Sequence, residues 1–330
     1  MRVVDPTFGP KLRELRLARG LSLSKLSALA YVSKAQLSQW ENGGRRPTRG
    51  SAMILDRALE TGGELAGLIT ETPDDTDAAG RIARALSGSS LIGSSDVEAL
   101  RDTLATSRRL DDSLPASALL PTVDGLLSTI QAVARDARGT VARDVHLVAV
   151  QAGQFAGWLH ANVRNDRRAE QLLSTAARDA LSLDHPDLAC QTLSFRGALD
   201  WFRGNANGMA RWNLAAYEVP NASALHRADA AFNAVHAIGV LGNDQEATRL
   251  LGKADDITTA LDGTDAYSPV AYWLTPGWLR LSVGLAHLGL GNHRQAADSL
   301  RAGLDGWQGA DWATDYQDAL TKAEAGQASA

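Results

Sequence analysis

Two short amphipathic segments joined by a tight turn occupy residues 20–47 of the 330-residue chain, GLSLSKLSALAYVSKAQLSQWENGGRRP. The first segment follows Ser22, a favourable helix N-cap, and carries leucine and alanine at helical spacing. Ser33 caps the second segment, KAQLSQWE, and the sequence Asn42-Gly43-Gly44 ends it. The pattern predicts two helices of about two turns each, packed through their apolar faces.

Helical spacing continues on both sides, so that residues 8–69 read as five short helices. The first helix, FGPKLRELRLARG, ends at Gly20. The fourth follows Pro47-Thr48 and ends at Gly62-Gly63, and ELAGLI forms the fifth. Trp40 of the third helix is expected in the core of this bundle.

These residues resemble the helix-turn-helix of the lambda-repressor-like family of bacterial and phage regulators. The resemblance covers about the first 70 residues. Its matched positions, in the family's order, are Gly20-Leu21, Leu26, Ala30, Val32-Ser33, Leu37, Ser38, Glu41-Asn42-Gly43 and Arg46-Pro47. It implies a domain that places its third helix in the major groove of DNA.

The resemblance also implies which residues read bases. In the family, the positions of Lys34, Ala35 and Gln39 face base edges. Lys34 can donate to guanine O6 and N7, Gln39 can pair with adenine N6 and N7, and Ala35 offers a methyl contact to thymine. Gln36 reaches a base or a phosphate.

Phosphate contacts are expected at both ends of the third helix and at the start of the second. The expected DNA-backbone contacts are Ser22, Ser24, Ser33, Ser38, Asn42, Arg45, Arg46 and Arg49. Leu23 stands where the family usually has a phosphate-binding Gln, so Ser22, Ser24 or backbone N–H groups must replace that contact. Arg16 and Glu41 match a structural ion pair of some family members.

The charge distribution agrees with an N-terminal DNA-binding module. Residues 1–70 hold 11 Lys and Arg against 6 Asp and Glu, whereas the rest of the chain holds 22 against 32. A basic module on an acidic body is expected to meet nucleic acid through the basic part.

Abundant Ala and Leu with few β-branched runs predict an all-α protein. We expect a helix-turn-helix DNA-binding domain over 1–71, a linker over 72–95 that is acidic and then Gly- and Ser-rich, and a helical domain over 96–330. Helices are expected at 96–110 and from about 119 to 137.

Four helix-turn-helix units repeat beyond residue 139. Their turns are Arg164-Asn165, Gly204-Asn205, Gly242-Asn243 and Gly291-Asn292, spaced 40, 38 and 49 residues apart. A glycine lies 7 residues before three of these turns, at Gly157, Gly197 and Gly284. The pattern resembles the tetratricopeptide repeat (TPR), whose usual length is about 34 residues. It implies a right-handed TPR-like α-solenoid with longer, degenerate repeats.

Such a stack presents the first helix of each pair on a concave surface. Amides, a carboxylate and several tryptophans on that surface would suit a peptide or a small organic ligand, although tryptophans of a solenoid are often core residues. The expected ligand-contacting positions are Gln151, Gln154, Trp158, Gln191, Ser194, Trp201, Asp229, Asn233, His236, Trp273 and Trp278.

This pairing of modules resembles the layout of two groups. One group is the peptide-sensing quorum regulators of Gram-positive bacteria. The other is the actinobacterial regulators, to which the Ala- and Arg-rich composition and the RRLDDSLP…LLPTVDGLL segment are closer. The resemblance implies a homodimer on an inverted-repeat operator and a switch driven by a peptide or small-molecule effector. Two alternatives stay open: a DNA-tethered scaffold for protein partners, and a regulator whose solenoid only dimerises.

No motif indicates an enzyme. The sequence has no phosphate-binding G-x-x-x-x-G-K loop, no G-x-S-x-G elbow and no H-E-x-x-H, so we expect no catalytic residue, no metal and no cofactor. Cys190 is the single cysteine, which excludes an intrachain disulfide, and it is expected to be a buried apolar residue. Without a signal peptide or a long apolar stretch, the protein is expected in the cytoplasm, associated with the nucleoid and not with a membrane.

Overall fold

The computed structural model describes residues 2–30, 32–71, 92–111, 113–261, 271, 273–305 and 311–329. The described chain is nearly all helical, as predicted, and separates into two compact units. One contains the described residues up to Asp96 together with Ala271, and the other contains the remaining described residues from Val97 onward. Of the expected linker, 72–91 lies outside the described residues.

The N-terminal unit contains the five predicted helices and one pair of short strands. Its helices are α1 (Phe8–Ala18), α2 (Leu23–Ala30), α3 (Lys34–Glu41), α4 (Arg49–Leu59) and α5 (Glu64–Gly67). Strand β1 (Arg2–Val4) pairs antiparallel with β2 (Ile69–Glu71), which places Val4 opposite Ile69. The sequence did not predict these strands, because three residues are too few to show an alternating pattern.

The core of this unit is formed by the apolar faces of all five helices. Its largest fully buried side chains are Phe8, Leu12, Leu26, Leu37, Leu55, Leu59 and Leu65. Gly9 allows α1 to approach the end of α3, because a Cβ on Gly9 would lie 2.6 Å from the carbonyl oxygen of Glu41. Trp40 is buried in the same core, as predicted.

The second unit is built from antiparallel helices packed in chain order. They are α6 (Ser94–Leu110, which begins at the end of the first unit), α7 (Ala116–Asp136), α8 (Ala142–Asn162), α9 (Asp166–Ser182), α10 (Pro186–Phe202), α11 (Ala206–Tyr217), α12 (Ala224–Val240), α13 (Asp244–Leu261), α14 (Pro276–Gly289), α15 (His293–Leu304) and α16 (Thr314–Ser329). From α7 to α13 each helix packs on the next; α14 packs on α12 and α15, and α15 packs on α16.

The four predicted repeat units are the pairs α8–α9, α10–α11, α12–α13 and α14–α15. In three of them the glycine of the first helix meets the second helix of the same pair. A Cβ added to Gly157 or Gly284 would lie 2.7 Å from Leu173 Cγ and 2.6 Å from Leu300 Cγ, respectively. The small residue therefore sets the close approach of the paired helices, as the repeat pattern implied.

No helix in the described residues combines the length and the apolarity needed to cross a bilayer.

Candidate functional site

Helix α3 presents one polar face to solvent. Ala35 and Gln39 are exposed, and Lys34 and Gln36 are half-buried on the same side. The helix starts cleanly because the Oγ of Ser33 accepts a hydrogen bond of 3.1 Å from the backbone N–H of Gln36. All four predicted base-reading residues thus lie in the first two turns of a capped helix.

A buried ion pair fixes the other end of α3. Arg16 donates from Nε to Glu41 Oε1 at 2.6 Å and from Nη2 to Oε2 at 2.9 Å. Its Nη1 also donates to the carbonyl of Leu21 at 2.8 Å. Hydrogen bonding to Glu41 raises the pKa of Arg16. The predicted structural pair therefore ties α1, the start of the α2 segment and α3 together.

The loop after α3 folds back onto that helix. The backbone N–H groups of Gly44 and Arg45 donate to the carbonyl of Gln39 at 2.8 and 3.3 Å. Asn42 donates from Nδ2 to the carbonyl of Ser38 at 2.8 Å. Arg46, which follows Arg45 in this loop, is exposed. This loop holds two basic side chains, Arg45 and Arg46, beside the exposed face of α3.

The remaining predicted phosphate contacts differ in accessibility. Ser22 caps α2 by accepting from the backbone N–H of Lys25 at 3.1 Å. The Oγ of Ser24 is buried and has no hydrogen-bond partner, so Ser22 is the better candidate at this helix start. The side chain of Arg49 lies outside the described residues.

Asp56 is a buried carboxylate that connects α4 to α5, and sequence analysis did not identify it. Asp56 on α4 accepts hydrogen bonds from the backbone N–H groups of Leu65 and Ala66 at 2.9 and 2.8 Å. It therefore satisfies free donors at the start of α5, as an N-cap does. Asp56 has no local sequence motif, because its partners lie nine and ten residues away.

In the second unit, aromatic rings form a closed circuit of contacts. Consecutive ring centroids lie 4.6–6.1 Å apart in the order Trp158, Phe195, Trp273, Trp278, Tyr316, Trp201, Phe202 and back to Trp158. Four of these residues are predicted ligand-contacting tryptophans. Because Tyr316 belongs to α16, the C-terminal helix closes the circuit against α10.

Asp229 lies beside this aromatic circuit. Ser282 Oγ donates to its Oδ1 at 2.6 Å, and Asn233 donates from Nδ2 to its backbone carbonyl at 2.9 Å. Burial raises the pKa of Asp229 to about 6, although hydrogen bonds from Ser282 and Trp278 oppose the rise. The structure thus brings Asp229, Asn233 and Trp278 together.

The predicted glutamines lie at the edge of this region, on α8 and α10. Arg108 of α6 donates from Nη2 to the carbonyl oxygen of Gln151 at 3.1 Å and to Gln154 Oε1 at 3.4 Å. Gln191 and Ser194 are buried on α10. Gln154, Gln191 and Ser194 are buried, so the described conformation leaves little of these three accessible to a ligand, whereas Gln151 is half-buried.

Sequence analysis did not identify several residues of this region. They are Phe195, Phe202, Ser282, Trp312 and Tyr316. The last two follow the fourth repeat, where the repeat pattern no longer predicts which side of a helix faces the core.

Cys190 is fully buried, as predicted, and burial raises the pKa of its thiol. Among the described residues no His, Cys, Asp and Glu cluster could hold a metal ion.

Comparison with known proteins assigns the first unit. Residues 12–64 match the model of the helix-turn-helix family. The chain thus carries an N-terminal DNA-binding domain of the lambda-repressor-like type, which is the type found in transcription regulators. No curated protein sequence matches the chain. A solved structure of PlcR from Bacillus thuringiensis, in complex with the peptide PapR7 and DNA, aligns over 98% of both chains at 13% identity, with a TM-score of 0.34.

Proposed function

We propose that the protein is a homodimeric transcription regulator that reads its operator with α3 and responds to an effector bound by the helical-repeat unit. The observation that carries the DNA-reading part is the exposed polar face of α3, fixed by the buried Arg16–Glu41 pair. A recognition helix held in this way loses little conformational freedom when it enters the major groove.

Base reading is assigned to Lys34, Ala35, Gln36 and Gln39. An amide at Gln39 matches the two groups of an adenine edge, and the ammonium of Lys34 matches the acceptors of guanine. The cations of Arg45 and Arg46 and the helix start at Ser22 supply sequence-independent phosphate contacts.

Dimerisation is part of the proposal because one helix-turn-helix of this size makes few base contacts. Two copies on an inverted repeat double those contacts and add a spacing requirement. An effector that favours one arrangement of the paired repeat units changes the separation of the two recognition helices. By linkage, operator DNA must change the affinity for that effector by the same factor.

The experiment is selection of bound duplexes from a random pool by the full-length protein, followed by sequencing. The expected result is an enriched inverted repeat whose half-sites lie about one helical turn, roughly 10 base pairs, apart. The Lys34→Ala/Gln39→Ala double variant is the matched control and should lose the enrichment while remaining folded. A single unrepeated site would contradict the dimer, and no enriched sequence would contradict base reading.

A further inference from the structure

A cavity of about 440 Å³ opens where α16 meets the ends of the repeat helices, and we name it the α16 cavity. Its apolar walls include Trp201 and Phe202 of α10, Met209 of α11 and Val240 of α12. Small-molecule sites have volumes of roughly 300–1,000 Å³ and combine apolar walls with a few polar groups. The α16 cavity therefore has the size and lining of a ligand site.

One polar group of the cavity is a buried histidine with an open acceptor. His236 is 7% exposed and lies edge-on to Trp201, with ring centroids 6.3 Å apart. Its Nδ1 lies 2.8 Å from the carbonyl oxygen of Leu285, to which it can only donate. Burial lowers the pKa of His236 to about 4, so the neutral ring carries its lone pair on Nε2. Within the described residues, that nitrogen has no hydrogen-bond partner.

The remaining polar wall of the cavity comes from α16. Asp315 and Asp318 contribute carboxylates, and Lys322 lies exposed one turn beyond Asp318. The cavity thus offers three acceptor groups, the two carboxylates and His236 Nε2, and two cations lie beside them, Lys322 and the Arg164 that pairs with Asp315. A ligand that satisfies them needs N–H donors and positive charge.

The protein already places a cation of its own on this wall. Arg164 donates from Nη2 to Asp315 Oδ1 at 3.2 Å, and its guanidinium carbon lies 4.7 Å from the ring centroid of Phe202. Arg164 has a φ of +60°, a conformation that favours glycine, and glycine occupies the same turn position in the other three repeats. The side chain of Arg164 thus stands where the other three repeats have glycine, and its guanidinium contacts both Asp315 and Phe202.

We infer that the α16 cavity binds a protonated amine carried on an aromatic body, with the ring against Trp201 and the ammonium between Asp315, Asp318 and His236 Nε2. The identification of this cavity as the effector site rests on the proposed function, whereas binding of the amine does not depend on DNA. A primary amine remains protonated at pH 7, because its pKa is about 10.

The test is calorimetric titration of the full-length protein with tryptamine and with tryptophol, which replaces the ammonium with a hydroxyl group. Tryptamine should bind at least about tenfold more tightly, because only it gains the charge-assisted hydrogen bonds to the two carboxylates. Asp318→Asn should weaken tryptamine binding about fivefold and leave tryptophol unchanged. Asp256→Asn, at an exposed residue of α13 outside the cavity, is the matched control and should change neither.

A second variant tests the position of the ammonium. Arg164→Gly removes the competing guanidinium and leaves a residue that suits the left-handed turn. Tryptamine should then bind about threefold more tightly, because Asp315 no longer pairs with Arg164. Unchanged or weaker binding would overturn the placement of the ammonium on the α16 wall.

Two outcomes separate this inference from the proposed function. Equal affinity for tryptamine and tryptophol, or no tryptamine binding by a protein that still binds its selected operator, overturns the inference and leaves DNA recognition intact. Tryptamine binding that leaves operator affinity unchanged supports the cavity but contradicts effector control through it.

Discussion

The two units of the molecule treat their buried charged and titratable groups differently. In the N-terminal unit, Arg16 and Glu41 form two direct hydrogen bonds, and Asp56 accepts two backbone N–H groups. In the helical-repeat unit, His236 Nε2 has no partner among the described residues. Arg196, which is 2% exposed, donates from Nη2 to Glu170 Oε1 at 2.9 Å, but its Nε and Nη1 have no hydrogen-bond partner. The first unit pairs its buried charges fully, although Ser24 Oγ and Trp40 Nε1 have no partner, whereas the second leaves two nitrogens of the buried Arg196 and the cavity-lining His236 Nε2 open.

This contrast agrees with where each unit is proposed to act. The DNA-binding domain uses its outer face, so its interior needs only to be rigid. A ligand site inside a helical stack must keep donors and acceptors open for the ligand, at a cost in stability, because an unpaired buried polar group costs about 1–3 kcal/mol. The cost of removing one charged partner should therefore be highest where the pair is buried and fully hydrogen-bonded, as it is for Arg16 and Glu41.

Glu41→Ala should have the largest effect on folding. It leaves Arg16 buried without its carboxylate, which should lower the free energy of unfolding of the first unit by about 3–5 kcal/mol. Urea unfolding followed by circular dichroism measures this loss. The matched control is Arg19→Ala, which breaks the exposed Arg19–Glu60 pair of 2.7 Å and should cost less than about 1 kcal/mol. Similar losses in both variants would show that burial does not distinguish the two pairs.

Gly284→Ala tests close helix packing in the second unit. Its new Cβ would lie 2.6 Å from Leu300 Cγ and 3.0 Å from the backbone nitrogen of Leu300, so α14 and α15 must separate. We expect a loss of about 1–3 kcal/mol in the free energy of unfolding. Gly252→Ala in α13 is the control: its Cβ meets nothing within 4 Å, and it should stabilise the protein by about 0.5–1 kcal/mol. A stabilising Gly284→Ala would contradict the packing role.

Local signals explain how much of the structure could be predicted. The bounds of α3 follow from Ser33 at its start and Asn42-Gly43 at its end, and the structure confirms α3 as Lys34–Glu41. The four repeat turns were also predicted from local residue pairs, each of which ends in Asn. In the structure the first residue of each pair has a positive φ. Contacts between distant residues were not predictable in this way.

The closure of the aromatic circuit is the clearest example of such a distant contact. Tyr316 meets Trp201 at 5.1 Å across more than a hundred residues of sequence, and Asp56 reaches a helix that begins eight residues later. In neither contact does the local sequence around one residue identify the residue that it contacts. One signal was present and not used: Arg164 replaces the glycine of the other three turns, which marks the first turn as different.

The central claim is that α3 reads bases while the loop after it contacts phosphate. The most direct measurement is the affinity of Gln39→Ala and Arg46→Ala for the selected operator and for a scrambled duplex, over a range of salt concentrations. Gln39→Ala should lose roughly tenfold on the operator and almost nothing on the scrambled duplex. Arg46→Ala should weaken both and reduce the salt slope by about 1. An equal loss on both duplexes for Gln39→Ala would contradict the claim.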